Sequence, residues 1–191
     1  MIRLTLPICL VLAALLGPAC SNRGDSEPSQ TQVTQVTEAR NALSEELMLA
    51  LGQAKNFHGK ADVYVKNGDS KAAIAEVERV LKLTFPKDAP EGEDVVLDAR
   101  ARLAKLLIGT GELSRARQVV DTGLGSATRE SFFVANLYTV RGELIEAEAT
   151  VLAESDVEAA KKMRLEAIRA YDKSIEINEA IQKRLVVEDA Q

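Results

Sequence analysis

Histidine occurs once in this 191-residue chain, tryptophan not at all, and cysteine only twice. Zinc centres and Ser-His-Asp arrangements are therefore short of parts. Aromatic residues make up 4% of the chain, and 24 Lys and Arg against 29 Asp and Glu leave a net charge of −5. That balance excludes a surface built to neutralise nucleic-acid phosphates. Proline is confined as well. Pro7, Pro18 and Pro28 lie near the start, and Pro86 and Pro90 share one short stretch. The rest, from residue 31 onward, is proline-free and rich in Ala, Leu, Glu, Lys and Arg, a helical composition. The length fits one domain and an appendage, enough to bury a core without disulfides or a metal.

The chain opens on an apolar run. After Arg3, Leu4 to Leu16 is apolar apart from Thr5. That is too short for a membrane-spanning helix, which takes ~20 residues, but it has the length of a signal-peptide core. Residues 1–19 are accordingly expected to be a signal peptide. Leu15-Leu16-Gly17-Pro18-Ala19-Cys20 resembles a bacterial lipobox, with Gly17 where leucine is usual and Leu16 one step further back. The resemblance implies a lipoprotein with a palmitate-type anchor on Cys20. Ser21 follows, where the resemblance associates Asp with inner-membrane retention, so it implies the outer membrane, facing the periplasm. Gly17-Pro18-Ala19 also suits ordinary signal peptidase, which would leave a soluble periplasmic or secreted protein with Cys20 as a plain thiol. With Cys9 removed, a single cysteine permits no intrachain disulfide. Residues 20–35 are polar and carry no apolar period, and are expected to form a disordered tether reaching at most ~50 Å.

Beyond the tether, residues 36–187 read as an all-α domain. Leu43, Leu47, Leu51, Ala54, Phe57, Ala61 and Tyr64 recur at three- and four-residue steps, one face of a helix from about Val36 to Lys66. Asn67-Gly68-Asp69 breaks it, glycine supplying the left-handed turn and Asp69 an N-cap. A second helix is expected to run to Thr84, where Phe85-Pro86 stops it. The unit then recurs, with a helix from Asp94 to Gly109, a turn at Thr110-Gly111-Glu112, and a return from Leu113 to Gly123. Gly109-Thr110-Gly111 and Gly123-Leu124-Gly125 read as helix punctuation, since neither continues as a phosphate loop.

These residues resemble tetratricopeptide repeats, whose period is 34. In that family small residues sit where paired helices touch, and here those places fall on Ala61 with Ala73 and on Ala104 with Ala116. The physical reason is that only small side chains let helix axes approach to ~8 Å. The Pro86–Asp94 segment, read as a long loop, accounts for the extra distance between Gly68 and Gly111. Ala167 to Asn178 resembles the second helix of a repeat, with Ala167 in the small place. Its partner is read in two ways. One places a turn at Gly142. The preferred one runs a long helix from Glu130 to Ala153 and another from Asp156 to Val187, with Gly142 in the small place and Ser155 and Glu158 as a capping box. The expected architecture is an α-solenoid of about three antiparallel helical hairpins.

The same resemblance implies a concave groove lined by the first helix of each pair. It places Lys55, His58, Asp62 and Val65 there from the first unit, and Asp98, Ala101, Lys105 and Ile108 from the second. A turn at Gly142 would add Arg129, Phe132, Asn136 and Thr139. Of the Lys and Asn set with which some members grip a peptide carboxylate, only Asn136 is kept. Lone His58, the acidic pairs Glu45-Glu46 and Glu93-Asp94, and the Lys161-Lys162-Met163-Arg164 run read as structural or solvated, and Phe132-Phe133 as core. No cofactor, metal, nucleic acid or small-molecule substrate is expected, nor any enzymatic activity. The reading that remains is an interaction adaptor, lipid-anchored in the cell envelope and serving a protein partner there, with assembly of an envelope complex as its implied role. The alternative is a structural spacer that self-associates through its long first and last helices.

Overall fold

The computed structural model describes residues 30–188, with side chains over residues 45–187. The signal peptide, Cys20 and the first part of the tether lie outside the described residues. These residues form six helices: α1 (Gln30–Lys66), α2 (Ser70–Val80), α3 (Pro90–Gly109), α4 (Leu113–Ser126), α5 (Phe132–Leu152) and α6 (Val157–Glu188). None of them is long and apolar enough to cross a membrane. They pair as three hairpins, α1 with α2, α3 with α4 and α5 with α6. Helix α3 packs on both members of the first pair and α5 on both members of the second. The result is an all-α solenoid of the tetratricopeptide-like kind.

Two glycines make the tight turns. Gly68 and Gly111 both have φ of 79°, a left-handed conformation open to glycine at little cost. Each closes its helix in the same way. Gly68 N–H donates to Val65 and Asp69 N–H to Tyr64, at 3.0 and 2.9 Å; Gly111 donates to Ile108 and Glu112 to Leu107, at 3.0 and 2.8 Å. Carbonyls that would otherwise be orphaned at the helix ends are thereby satisfied. Asp69 then caps α2, its Oδ1 accepting from Ala72 N–H at 2.9 Å.

Small residues sit where the helices touch. Ala61, Ala73, Ala104, Ala116 and Ala167 are fully buried. Gly142 lies in the middle of α5 under the ring of Tyr171, where an added Cβ would come within 2.6 Å of Cε1. Helix α5 runs unbroken through Gly142, so the third unit is the long hairpin and not a turn at that glycine. Around these contacts Leu97, Leu107, Leu137, Leu144, Val77, Val80, Val120 and Val140 form one core that links all three pairs. Polar ties reinforce the stacking. Lys60 meets Glu76 at 2.6 Å between α1 and α2, Arg115 meets Glu78 at 2.6 Å between α4 and α2, and Arg129 meets Asp94 at 2.6 Å.

Several boundaries differ from those expected. Helix α1 starts at Gln30, so residues 30–35 are helical and not tether; no proline or glycine falls between Ser29 and Gly52, and propagating a helix is cheap once it is nucleated. Helix α2 ends at Val80, not Thr84. Its last turn tightens through bonds from Lys82 to Arg79 and from Leu83 to Val80, and the residue before Pro86 is steered away from helix. Helix α3 begins at Pro90, which occupies the first turn with Glu91 and Glu93. Proline is favoured there and acids complement the helix dipole, so half of the expected loop is helical. Gly123 is no punctuation. It lies inside α4, where an added Cβ would meet Leu137 Cδ1 at 2.8 Å.

The cap of α6 also needs correction. Asp156, not Ser155, is the N-cap, accepting from Ala159 N–H at 2.9 Å. The Ser155 hydroxyl is turned back to the Leu152 carbonyl at 3.2 Å, closing α5. The capping box with Glu158 is therefore not formed. Urea denaturation should show Asp156→Ala losing about 1 kcal/mol, and Ser155→Ala less than about 0.5 kcal/mol. Equal losses would contradict this assignment.

Candidate partner-binding face

The first helices of the three hairpins, α1, α3 and α5, lie in order, α3 touching both others. Across them runs a series of charged side chains. Arg102 on α3 forms an ion pair with Asp62 on α1 and lies 3.3 Å from Nδ1 of His58. A guanidinium has no acceptor, so Nδ1 accepts and the imidazole proton sits on Nε2. Nε2 is 3.9 Å from Asp98 Oδ2, and the His58 side chain is 18% exposed. One turn along α3, Lys105 reaches Glu143 on α5 at 3.3 Å. The series thus joins the three hairpins, and apart from His58 and Arg102 its side chains remain more than a third exposed.

Burial and then the Arg102 charge hold the His58 pKa below its usual value, with Asp98 and Asp62 opposing. The unfolded chain then takes up a proton at higher pH than the folded one, so stability falls as the pH drops through ~6.5 and levels off below the folded pKa. His58→Gln should flatten the denaturation midpoint between pH ~7 and ~5, a window above ordinary carboxylate titration. An unchanged slope in that variant would show that His58 titrates as an exposed residue.

The residues expected in the groove divide. His58, Asp62, Asp98 and Lys105 are brought together in the charged series. Lys55 and Val65 are exposed on α1 without joining it. Ile108 is half-buried against the core. Ala101 is 1% exposed and has to be withdrawn; it is packing, and the next residue, Arg102, reaches the surface instead. With α5 unbroken, the shorter set does not line up either. Thr139 bonds Ser174 on α6 at 2.9 Å, and Arg129 is held by Asp94. Phe132 is 63% exposed, its ring edge-on to Phe133 with centroids 5.7 Å apart, so the pair is not wholly core. Arg102 and Glu143 were not anticipated. Asp62, Asp98 and Arg102 fall on neighbouring helices, and only the i, i+4 spacing of Asp98 and Arg102 hinted that the arginine belongs to the same face.

Among the described residues no group of three metal-ligating side chains comes together. A cavity of about 550 Å³ lies between α1 and the segment after α2 and is walled by Leu49, Ala50, Leu83, Phe85 and Pro86, with Glu46 and Lys87 in its lining.

The tetratricopeptide repeat family model matches residues 54–85, from the second half of α1 through the Gly68 turn to Phe85. Searches of curated proteins and of solved structures give no match. With three stacked hairpins and one matched repeat, the chain is a tetratricopeptide-like helical repeat protein, a kind of scaffold that typically binds other proteins and typically does no catalysis.

Proposed function

We propose that this protein is an adaptor of the bacterial cell envelope, anchored by lipid on Cys20 in the outer membrane, that offers its α1–α3–α5 face to another envelope protein in assembling a complex. The observation that carries the binding face is the charged series His58, Asp62, Asp98, Arg102, Lys105 and Glu143. It spans all three hairpins and carries both signs of charge, so it fits a partner segment carrying charges of both signs. Such a surface contributes orientation and encounter rate more than affinity. The anchor rests on the apolar run and the lipobox-like residues before Cys20.

Two measurements test the two halves. Mass spectrometry of the isolated chain's N-terminus should find acyl chains on Cys20; an unmodified N-terminal Cys20 or an uncut Met1 would remove the anchor. For the face, cross-linking in intact cells should yield a specific adduct with the native chain that is lost with Lys105→Glu and Asp62→Lys together, both exposed. An adduct unaffected by that pair, or no adduct at all, would count against this surface.

A further inference from the structure

Helix α6 carries a second surface, unrelated to the charged face. One side of it, Ala160, Ala167, Ala170, Ser174 and Ile177, is buried against the third pair's first helix and the core. The opposite side carries Val157, Leu165, Ile168, Ile175 and Val186, each more than half exposed. At 3.6 residues per turn these five fall on one stripe pointing away from α5. Among the described residues α6 packs on α5 alone, so nothing described covers that stripe.

Its occupant is written in the order of the residues along it. Read from the N-terminal end, the stripe and its margins run Val157, Lys161, Arg164, Leu165, Ile168, Asp172, Ile175, Glu179, Gln182 and Val186. Turned end for end, this order sets apolar residues opposite apolar ones at its ends and middle and basic Arg164 opposite acidic Glu179, with Lys161 opposite neutral Gln182. If Ile168 faces Ile175 of a second copy, Val157 faces its Val186 and Arg164 faces its Glu179. Asp172 then comes close to Asp172 of the second copy at the axis, with Arg169 of each chain on the same flank to offset the like charges. We infer that α6 pairs antiparallel with α6 of a second copy of this chain, about a two-fold axis close to Asp172. Such an interface is self-complementary, which a surface meant for an unrelated partner has no need to be. Five half-exposed apolar side chains from each copy bury roughly 1,000 Å² together, the lower end for a stable interface.

The test uses the full chain in nonionic detergent. Sedimentation should find a dimer at ~10 μM. Ile168→Asp and Arg164→Glu should each weaken it at least tenfold, and Arg164→Glu with Glu179→Arg should restore it. All three sites are exposed, so the circular dichroism spectrum should not change. Direction is read by disulfide trapping in a chain carrying Cys9→Ser and Cys20→Ser. Val157→Cys protein mixed with Val186→Cys protein should link on mild oxidation, while neither links to itself. A monomer at ~100 μM would overturn the inference, as would a dimer that survives Ile168→Asp, one held elsewhere such as through the N-terminal apolar run. Val157→Cys linking to itself would overturn the antiparallel direction. The dimer and the α1–α3–α5 face share no residue, so either can fail while the other stands.

Discussion

Leu137→Ala is expected to be among the most damaging single changes in the protein, costing about 2–5 kcal/mol. Leu137 is completely buried and sits where the second and third hairpins meet, its Cδ1 pressed against the bare face of Gly123 on α4. Removing its isobutyl group forfeits the transfer free energy of the side chain and leaves a cavity. Gly123 has no side chain to lean in, and the helix backbones on either side cannot collapse without breaking their other contacts, so the cavity persists. Thermal unfolding should fall by roughly 2–4 °C for each kcal/mol. Val151→Ala, at a site 60% exposed on the same helix, should stay within about 0.5 kcal/mol of the native chain. Comparable losses at the two sites would mean that the second and third hairpins do not pack as described.

The second large effect is a change of sign at Gly142. Alanine is favoured over glycine within a helix by about 1 kcal/mol, so Gly142→Ala would stabilise an isolated α5. In the folded chain its methyl lands 2.6 Å from Cε1 and 2.7 Å from Cζ of Tyr171. The Tyr171 hydroxyl lies 3.3 Å from Glu146 Oε2, and burial together with the Glu146 charge pushes its pKa up to about 12. Overpacking of this kind costs about 1–3 kcal/mol, so Gly142→Ala should destabilise the native chain. In a Tyr171→Ala background the obstruction is gone, and the same substitution should stabilise by about 1 kcal/mol. A double-mutant cycle by urea denaturation isolates the coupling. Gly142→Ala acting with the same sign in both backgrounds would show that α5 and α6 do not approach at this glycine.

Much of this architecture was legible because it is set by local chemistry. The left-handed turns at Gly68 and Gly111, the Asp69 cap, the alanines at the helix contacts and the long third hairpin all follow from residues within a few positions of one another. Boundaries were harder where two adjacent residues offer the same chemistry. Ser155 and Asp156 are both good caps, and the choice depends on where α5 lets go of the chain. Pro90 and Gly92 read as a loop, yet proline suits a first helical turn, and Gly92 is a packing site under Phe85, where an added Cβ would come within 2.5 Å of the phenylalanine Cβ. The face was the least legible part. Moving one residue along a helix rotates the side chain by about 100°, enough to bury Ala101 and bring out Arg102. Only the packing of α3 against its neighbours decides which residue faces outward, and that is a relation between hairpins, not within one. Glu143 escaped notice for the same reason, since its partner Lys105 lies on the preceding pair.

Backbone hydrogen exchange of the full chain, read segment by segment, tests most directly whether these residues form three stacked pairs. Slow exchange is expected across α2 to α5 and the packed parts of α1 and α6, passing without interruption through Gly142. Fast exchange is expected just past each joint, at Ser70 and Lys71, at Leu113 and Ser114, and at Val157 and Glu158, whose N–H groups precede the first bonds of the next helix. Protection continuing unbroken through Ser70 and Lys71 or through Leu113 and Ser114, or a break in protection at Gly142, would contradict the hairpin order on which the rest is built.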